Sequence, residues 1–266
     1  MQVSRFMFIA AAIFAIGSKA SLMHAAVMDD VPAAELSGYQ VVYDWNIPDS
    51  SLGWNTVAVP YDVNTAASIA AGSYDRVAYY LQLDNNWVYA SFDATGFLAD
   101  PMKLGVPGRN TTNGTSIASN MSVQDMNVYS NVSGITTGTA LAGGKLEFWP
   151  SNYSAGTNNL FDHDDTGFNS TSSGHGSMQI HNTAVPQTLF GYSAWGSARD
   201  SEIGIGNGPN PSGNNTGTQP DWTFNTANNN LYAVQRMQIL VHVPEPAAAG
   251  LLALMVPLLA RRRRKA

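Results

Sequence analysis

Residues 76–92 narrow the fold of this 266-residue chain more than any other stretch. In Arg76-Val-Ala-Tyr-Tyr-Leu-Gln-Leu83, the residues Val77, Tyr79, Leu81 and Leu83 recur with period two. Asp84-Asn85-Asn86 supplies turn formers, and Trp87-Val-Tyr-Ala-Ser-Phe92 resumes the β-branched and aromatic run. Side chains alternate across a strand with this period, so two such runs around a short polar turn predict an antiparallel hairpin. Further strands are predicted at Tyr39–Tyr43, Met126–Tyr129, Lys145–Trp149, Met178–His181, Thr188–Ser193 and Asp221–Phe224. Leu231–Val243 reads as a long final strand. Met237, Ile239 and Val241 lie on its buried face, and Arg236 and His242 on the other. Strong helix formers are scarce, with four Lys and four Glu in the whole chain, while turn formers recur every ten or so residues. A short helix near Thr65–Ala71 is the one helical candidate in the body. The expected architecture is all-β, an antiparallel two-sheet sandwich or jelly roll.

The two ends differ in kind from the body. At the N-terminus, Arg5 precedes an apolar run from Phe6 to Gly17, and small residues follow at Ala20 and Ala25. This pattern predicts a secretory signal peptide over residues 1–26, cut near Ala25 or Ala26. At the C-terminus, Val243-Pro244-Glu245-Pro246 is followed by the apolar segment 247–260 and by Arg261-Arg262-Arg263-Arg264-Lys265. Fourteen helical residues reach about 21 Å, short of the roughly 30 Å hydrocarbon core. Such a helix is a marginal anchor, suited to a temporary stop with its basic end in the cytoplasm. The chain therefore divides into a signal (1–26), a β-sandwich body (27–243) and a tail (244–266).

The breaker motif, the Ala/Leu-rich segment and the Arg-rich end, in that order, resemble the PEP-CTERM sorting signal. The resemblance covers about 9% of the chain, residues 243–266. It implies a Gram-negative bacterial source. It also implies a membrane exosortase as partner, reading Pro244, Glu245 and Pro246 while Arg261–Arg264 hold the tail at the inner membrane. The body would then be released or relocated to the cell surface or the extracellular matrix. Unrelated bodies carry this tail, so it implies nothing about the body's activity.

Composition closes off several chemistries. The chain has no cysteine, which excludes disulfides, thiol nucleophiles and cysteine-based metal clusters. Residues 27–243 hold 18 acidic against six basic side chains, a net of −12 that the ends dilute to −6. A body this acidic repels phosphates, so nucleic acid is not an expected partner. Divalent cations and neutral glycans remain compatible with it.

Few residues suggest chemistry. Asp162, Asp164 and Asp165, in a long polar stretch between Asn152 and Ser177, read first as a solvated acidic loop that needs no cofactor and second as a candidate calcium site, since calcium takes oxygen ligands from flexible loops. They lack the spacing of an EF-hand loop. Six tryptophans and 11 tyrosines are many for one domain. Most should be core, but Trp54 and Trp195, flanked by Gly and polar residues, are candidates for stacking on the sugars of an extracellular polysaccharide. Gly191-Tyr-Ser-Ala-Trp-Gly196 is one residue too long for a nucleophile elbow, because Trp195 stands where the second glycine is required. Glu147, within Leu146-Glu147-Phe148-Trp149, is the carboxylate best placed on a strand for glycoside hydrolysis, though such a residue more often faces solvent. The expectation is a non-enzymatic exported surface protein. A glycan-binding module and a polysaccharide hydrolase are its alternatives.

Overall fold

The computed structural model describes residues 28, 31–47, 59, 61–106, 119–149, 177–193, 202–207 and 232–244. Chain contacts divide the protein into two units, Met1–Leu36 and Ser37–Ala266. In the first, one turn of α-helix, α1 (Ala33–Leu36), follows Pro32, whose carbonyl accepts from the N–H of Glu35. Proline suits a helix start because its missing N–H has no intrahelical role there.

The second unit holds two antiparallel sheets. Its strands are β1 (Tyr39–Asn46), β2 (Val63–Asn64), β3 (Arg76–Leu83), β4 (Asn86–Asp93), β5 (Ser119–Ser122), β6 (Met126–Ser130), β7 (Gly138–Leu141), β8 (Gly144–Trp149), β9 (Ser177–Asn182), β10 (Gln187–Ser193), β11 (Glu202–Ile205) and β12 (Gln235–His242). The seven-stranded sheet runs β2-β1-β12-β3-β4-β6-β7, and the five-stranded sheet runs β11-β10-β9-β8-β5. The predicted hairpin is β3–β4, closed by a two-residue turn in which Asp84 adopts φ +51°. Asp is among the few residues that tolerate this left-handed backbone.

The sheets pack face to face through their alternating apolar positions. Val77, Tyr79, Leu81 and Leu83 of β3 share one core with Leu146 and Phe148 of β8 and with Met178 and Ile180 of β9. The Tyr79 ring lies 6.3 Å from Phe148 across the interface, and Trp45 lies 6.5 Å from Tyr192. Three buried phenols close one end of this core. Tyr43, Tyr74 and Tyr79 donate to the carbonyls of Pro101 (3.1 Å), Leu98 (2.7 Å) and Leu104 (2.9 Å). They tie down two 3₁₀ turns, Gly96–Ala99 and Pro101–Lys103, and give donors to the carbonyls of Leu98 and of the cap residue Leu104, while Pro101 also accepts from the Leu104 N–H.

Three expectations are adjusted. The helix near Thr65 is a single 3₁₀ turn, Ala66–Ser68. Despite four alanines in this stretch, Ile69 is already extended (ψ 123°), and Thr65 spends its hydroxyl on the Val41 carbonyl at 2.9 Å, so tertiary contacts override helix propensity. The final strand starts at Gln235 rather than Leu231, because Asp84 takes the Val234 N–H with its carboxylate and gives its own N–H to the Val234 carbonyl. The faces of β12 are as expected for Met237, Ile239 and Val241, which enter the core, and for Arg236 and His242, which do not. Gln238 and Leu240, on the opposite face, are nevertheless buried. The predicted strand at 221–224 lies outside the described residues, as do the signal segment and the apolar tail. Among the described residues, no helix is long and apolar enough to cross a membrane.

Candidate functional site

The chain changes sheets twice at one corner. It leaves the five-stranded sheet after β5 and enters the other at β6; it leaves that sheet after β7 and returns at β8. Sharp corners require unusual backbone, and three such residues sit here: Asp125 (φ +52°), Ala140 (φ +51°) and Gly143 (φ +77°). A Cβ on Gly143 would lie 2.4 Å from the backbone nitrogen of Ala184, and one on Gly144 would lie 2.6 Å from a Val123 methyl. Only glycine lets the three turns approach this closely. The β9–β10 turn is tied to the same point, with the N–H of Thr183 donating to the Gly143 carbonyl at 2.7 Å.

The corner encloses a cleft of about 670 Å³ whose walls include Asp93, Ser122, Gln124, Asp125, Lys145 and Thr183. Arg76 organises the acidic wall. Its Nη1 donates to Asp93 (3.2 Å) and Asp125 (2.5 Å), its Nη2 to the Asp125 carbonyl (2.7 Å) and the Ser91 hydroxyl (3.2 Å), and its Nε to the Tyr39 hydroxyl (3.3 Å). These five bonds match the five N–H donors of a guanidinium. Burial opposes the Arg76 charge, but hydrogen bonds to Tyr39 and Asp125 outweigh it and raise its pKa further.

Lys145 connects the cleft to a buried polar strip on the face of the five-stranded sheet turned away from the core. Its Nζ lies 3.1 Å from Glu147 Oε1, and Glu147 Oε2 lies 3.8 Å from His181 Nε2. His181 Nδ1 in turn contacts the Thr188 hydroxyl at 3.0 Å. Strand register sets this row: Lys145 pairs with His181, Glu147 with Gln179, and Thr188 with His181. Glu147, Gln179, His181 and Thr188 are all fully buried. The expectation of a solvent-facing Glu147 is corrected here: the residue does point away from the core, but it is covered and ion-paired. Gln179 has no hydrogen-bond partner for its side-chain amide among the described residues.

Of the sorting-signal residues, Val243 and Pro244 are described. The N–H of Val243 donates to the Gly38 carbonyl at 3.0 Å, the last pairing step after β12. Just before it, His242 Nδ1 meets Asp75 Oδ1 at 2.6 Å. Glu245, Pro246, Arg261–Arg264, the calcium candidates Asp162, Asp164 and Asp165, and the stacking candidates Trp54 and Trp195 lie outside the described residues. Among the described residues, no group of three or more His, Asp or Glu is placed to hold a metal ion. Sequence reading missed the row of Lys145, Glu147, Gln179 and His181. Its trace was present, because polar residues alternate with apolar ones in both Lys-Leu-Glu-Phe and Met-Gln-Ile-His. No family model, curated protein or solved structure matches the chain.

Proposed function

We propose that this is a non-enzymatic protein exported from a Gram-negative bacterium and delivered to the cell surface or extracellular matrix by its Pro-Glu-Pro tail. One observation carries the reading. β12 stays paired on both sides to His242, Val243 makes the final sheet bond, and Pro244 is exposed. Proline has no N–H to continue a ladder, so the tail motif starts at the first residue the sheet releases. A sorting enzyme of the exosortase type then meets the start of the signal, Pro244, exposed where the sheet lets go of the chain. The signal segment 1–26, the inner-membrane stop at 247–260 and the basic end complete the route.

The geometry gives less support to a polysaccharide hydrolase. Asp93 and Asp125 converge on one arginine instead of facing each other across open space, and Glu147 is buried against Lys145. Glycoside hydrolysis needs two carboxyls flanking the scissile bond. The sorting reading is tested by mass spectrometry of the surface-exposed form. A chain ending before Ala247 is expected. A surface form intact to Ala266 overturns it.

A further inference from the structure

We propose that the corner cleft is a binding site for an uncharged saccharide. The cleft has two unlike walls. On one, Asp93 and Asp125 present carboxylates whose Oδ1 and Oδ2, respectively, are bound by Arg76, so the second oxygen of each has a fixed direction from which to accept a hydroxyl. Ser122 and Gln124 extend that wall with exposed polar side chains. On the other, Ala140, Leu141 and Ala142 offer a small apolar surface. A sugar ring matches this pair, with hydroxyls at its rim and C–H groups on its faces. The space of about 670 Å³ falls in the range of small-ligand sites.

Charge selects among ligands. The body's net of −12 disfavours anions. The cleft's two cationic side chains are already engaged, Arg76 with the aspartates and Lys145 with Glu147. A metal cation at these carboxylates would face repulsion from the adjacent Arg76 guanidinium, which already compensates both charges. A neutral polyol meets no such penalty. The left-handed residues at 125, 140 and 143 hold the walls in place before any ligand arrives, which reduces the ordering cost of binding. Neither Trp54, Trp195 nor the sorting tail is needed for this site.

The test uses the full chain in a sugar-free zwitterionic detergent, with alanine methyls labelled for NMR. Cellotetraose, maltotetraose, mannotetraose and an anionic heparin tetrasaccharide are titrated in turn. At least one neutral tetrasaccharide is expected to shift the methyls of Ala140 and Ala142 and to leave buried Ala78 and Ala90 in place. Ala142→Trp, at an exposed position, fills the cleft and should weaken that binding by about tenfold or more. If Ala142→Trp loses its dispersed core methyls, Gln124→Trp on the opposite wall takes its place. The proposal is overturned if no neutral sugar moves the cleft methyls, if only heparin does, or if the blocking variant binds as well as the parent. Processing of the tail is unaffected in every case, so failure here leaves the sorting reading standing.

Discussion

Tyr79→Phe should destabilise the protein at neutral pH and lose that penalty in alkali. Tyr79 is fully buried, stacks on Phe92 with ring centres 5.9 Å apart, and donates to the Leu104 carbonyl at 2.9 Å. Phenylalanine keeps the ring and its packing but leaves that carbonyl, on a fully buried residue, without its donor. An unsatisfied buried acceptor costs about 1–3 kcal/mol. The pH effect has the opposite sign. Burial raises the Tyr79 pKa well above 10, with smaller contributions from Tyr61, Tyr43 and Tyr74. The unfolded chain therefore ionises first. Stability from the neutral phenol is complete below pH 10 and is lost as pH rises above it. At one unit above the unfolded pKa the wild type has lost about 1.4 kcal/mol that the Phe variant keeps. Urea unfolding of both proteins at pH 7 and pH 11 measures the difference. The variant should be weaker at pH 7, and the gap should close or reverse at pH 11. An equal gap at both values would refute the buried, neutral phenol, and no gap at pH 7 would refute the bond to Leu104. Tyr43, raised to about 12 mainly by burial and secondarily by Asp100, adds to alkaline loss over the same window.

Lys145→Met removes the cation from the buried Lys145–Glu147 pair and should cost about 3–5 kcal/mol in a thermal melt; the double variant Lys145→Met, Glu147→Leu should recover much of it, because no buried charge is then left uncompensated. Should the single variant melt with the wild type, the pair contributes nothing to the folded state. A calcium ion held by the three aspartates at 162, 164 and 165 would raise the melting temperature in millimolar calcium over that in chelator. The effect should vanish when all three become Asn, and an unchanged wild-type midpoint would remove the ion.

The fold was legible where side-chain period and burial agree. β3 and β4 place core residues at every second position, although burial extends to both faces, and they sit in the middle of the larger sheet, so local pattern and tertiary context both favour strand. The start of β12 was less legible, since Val234 looks like strand. Only the carboxylate of Asp84, 150 residues away in sequence, shows why pairing begins one residue later. The cleft was not legible at all. Asp93, Asp125 and Lys145 are unremarkable surface types in the sequence, and they meet only because two connections change sheets at one corner. Glu147 was noticed for its strand setting, but its burial depends on what lies over the outer face of the sheet, and period-two patterning carries no information about that.

We propose that Pro244, Glu245 and Pro246, which follow the last sheet bond at Val243, are the signal by which the body leaves the membrane. Pro244, Glu245 and Pro246 are replaced together by Ala in the native host, and inner-membrane, outer-surface and medium fractions are probed for the body. Full-length protein held in the inner membrane is the predicted result. A triple variant that is processed and surface-exposed like the wild type would contradict the account.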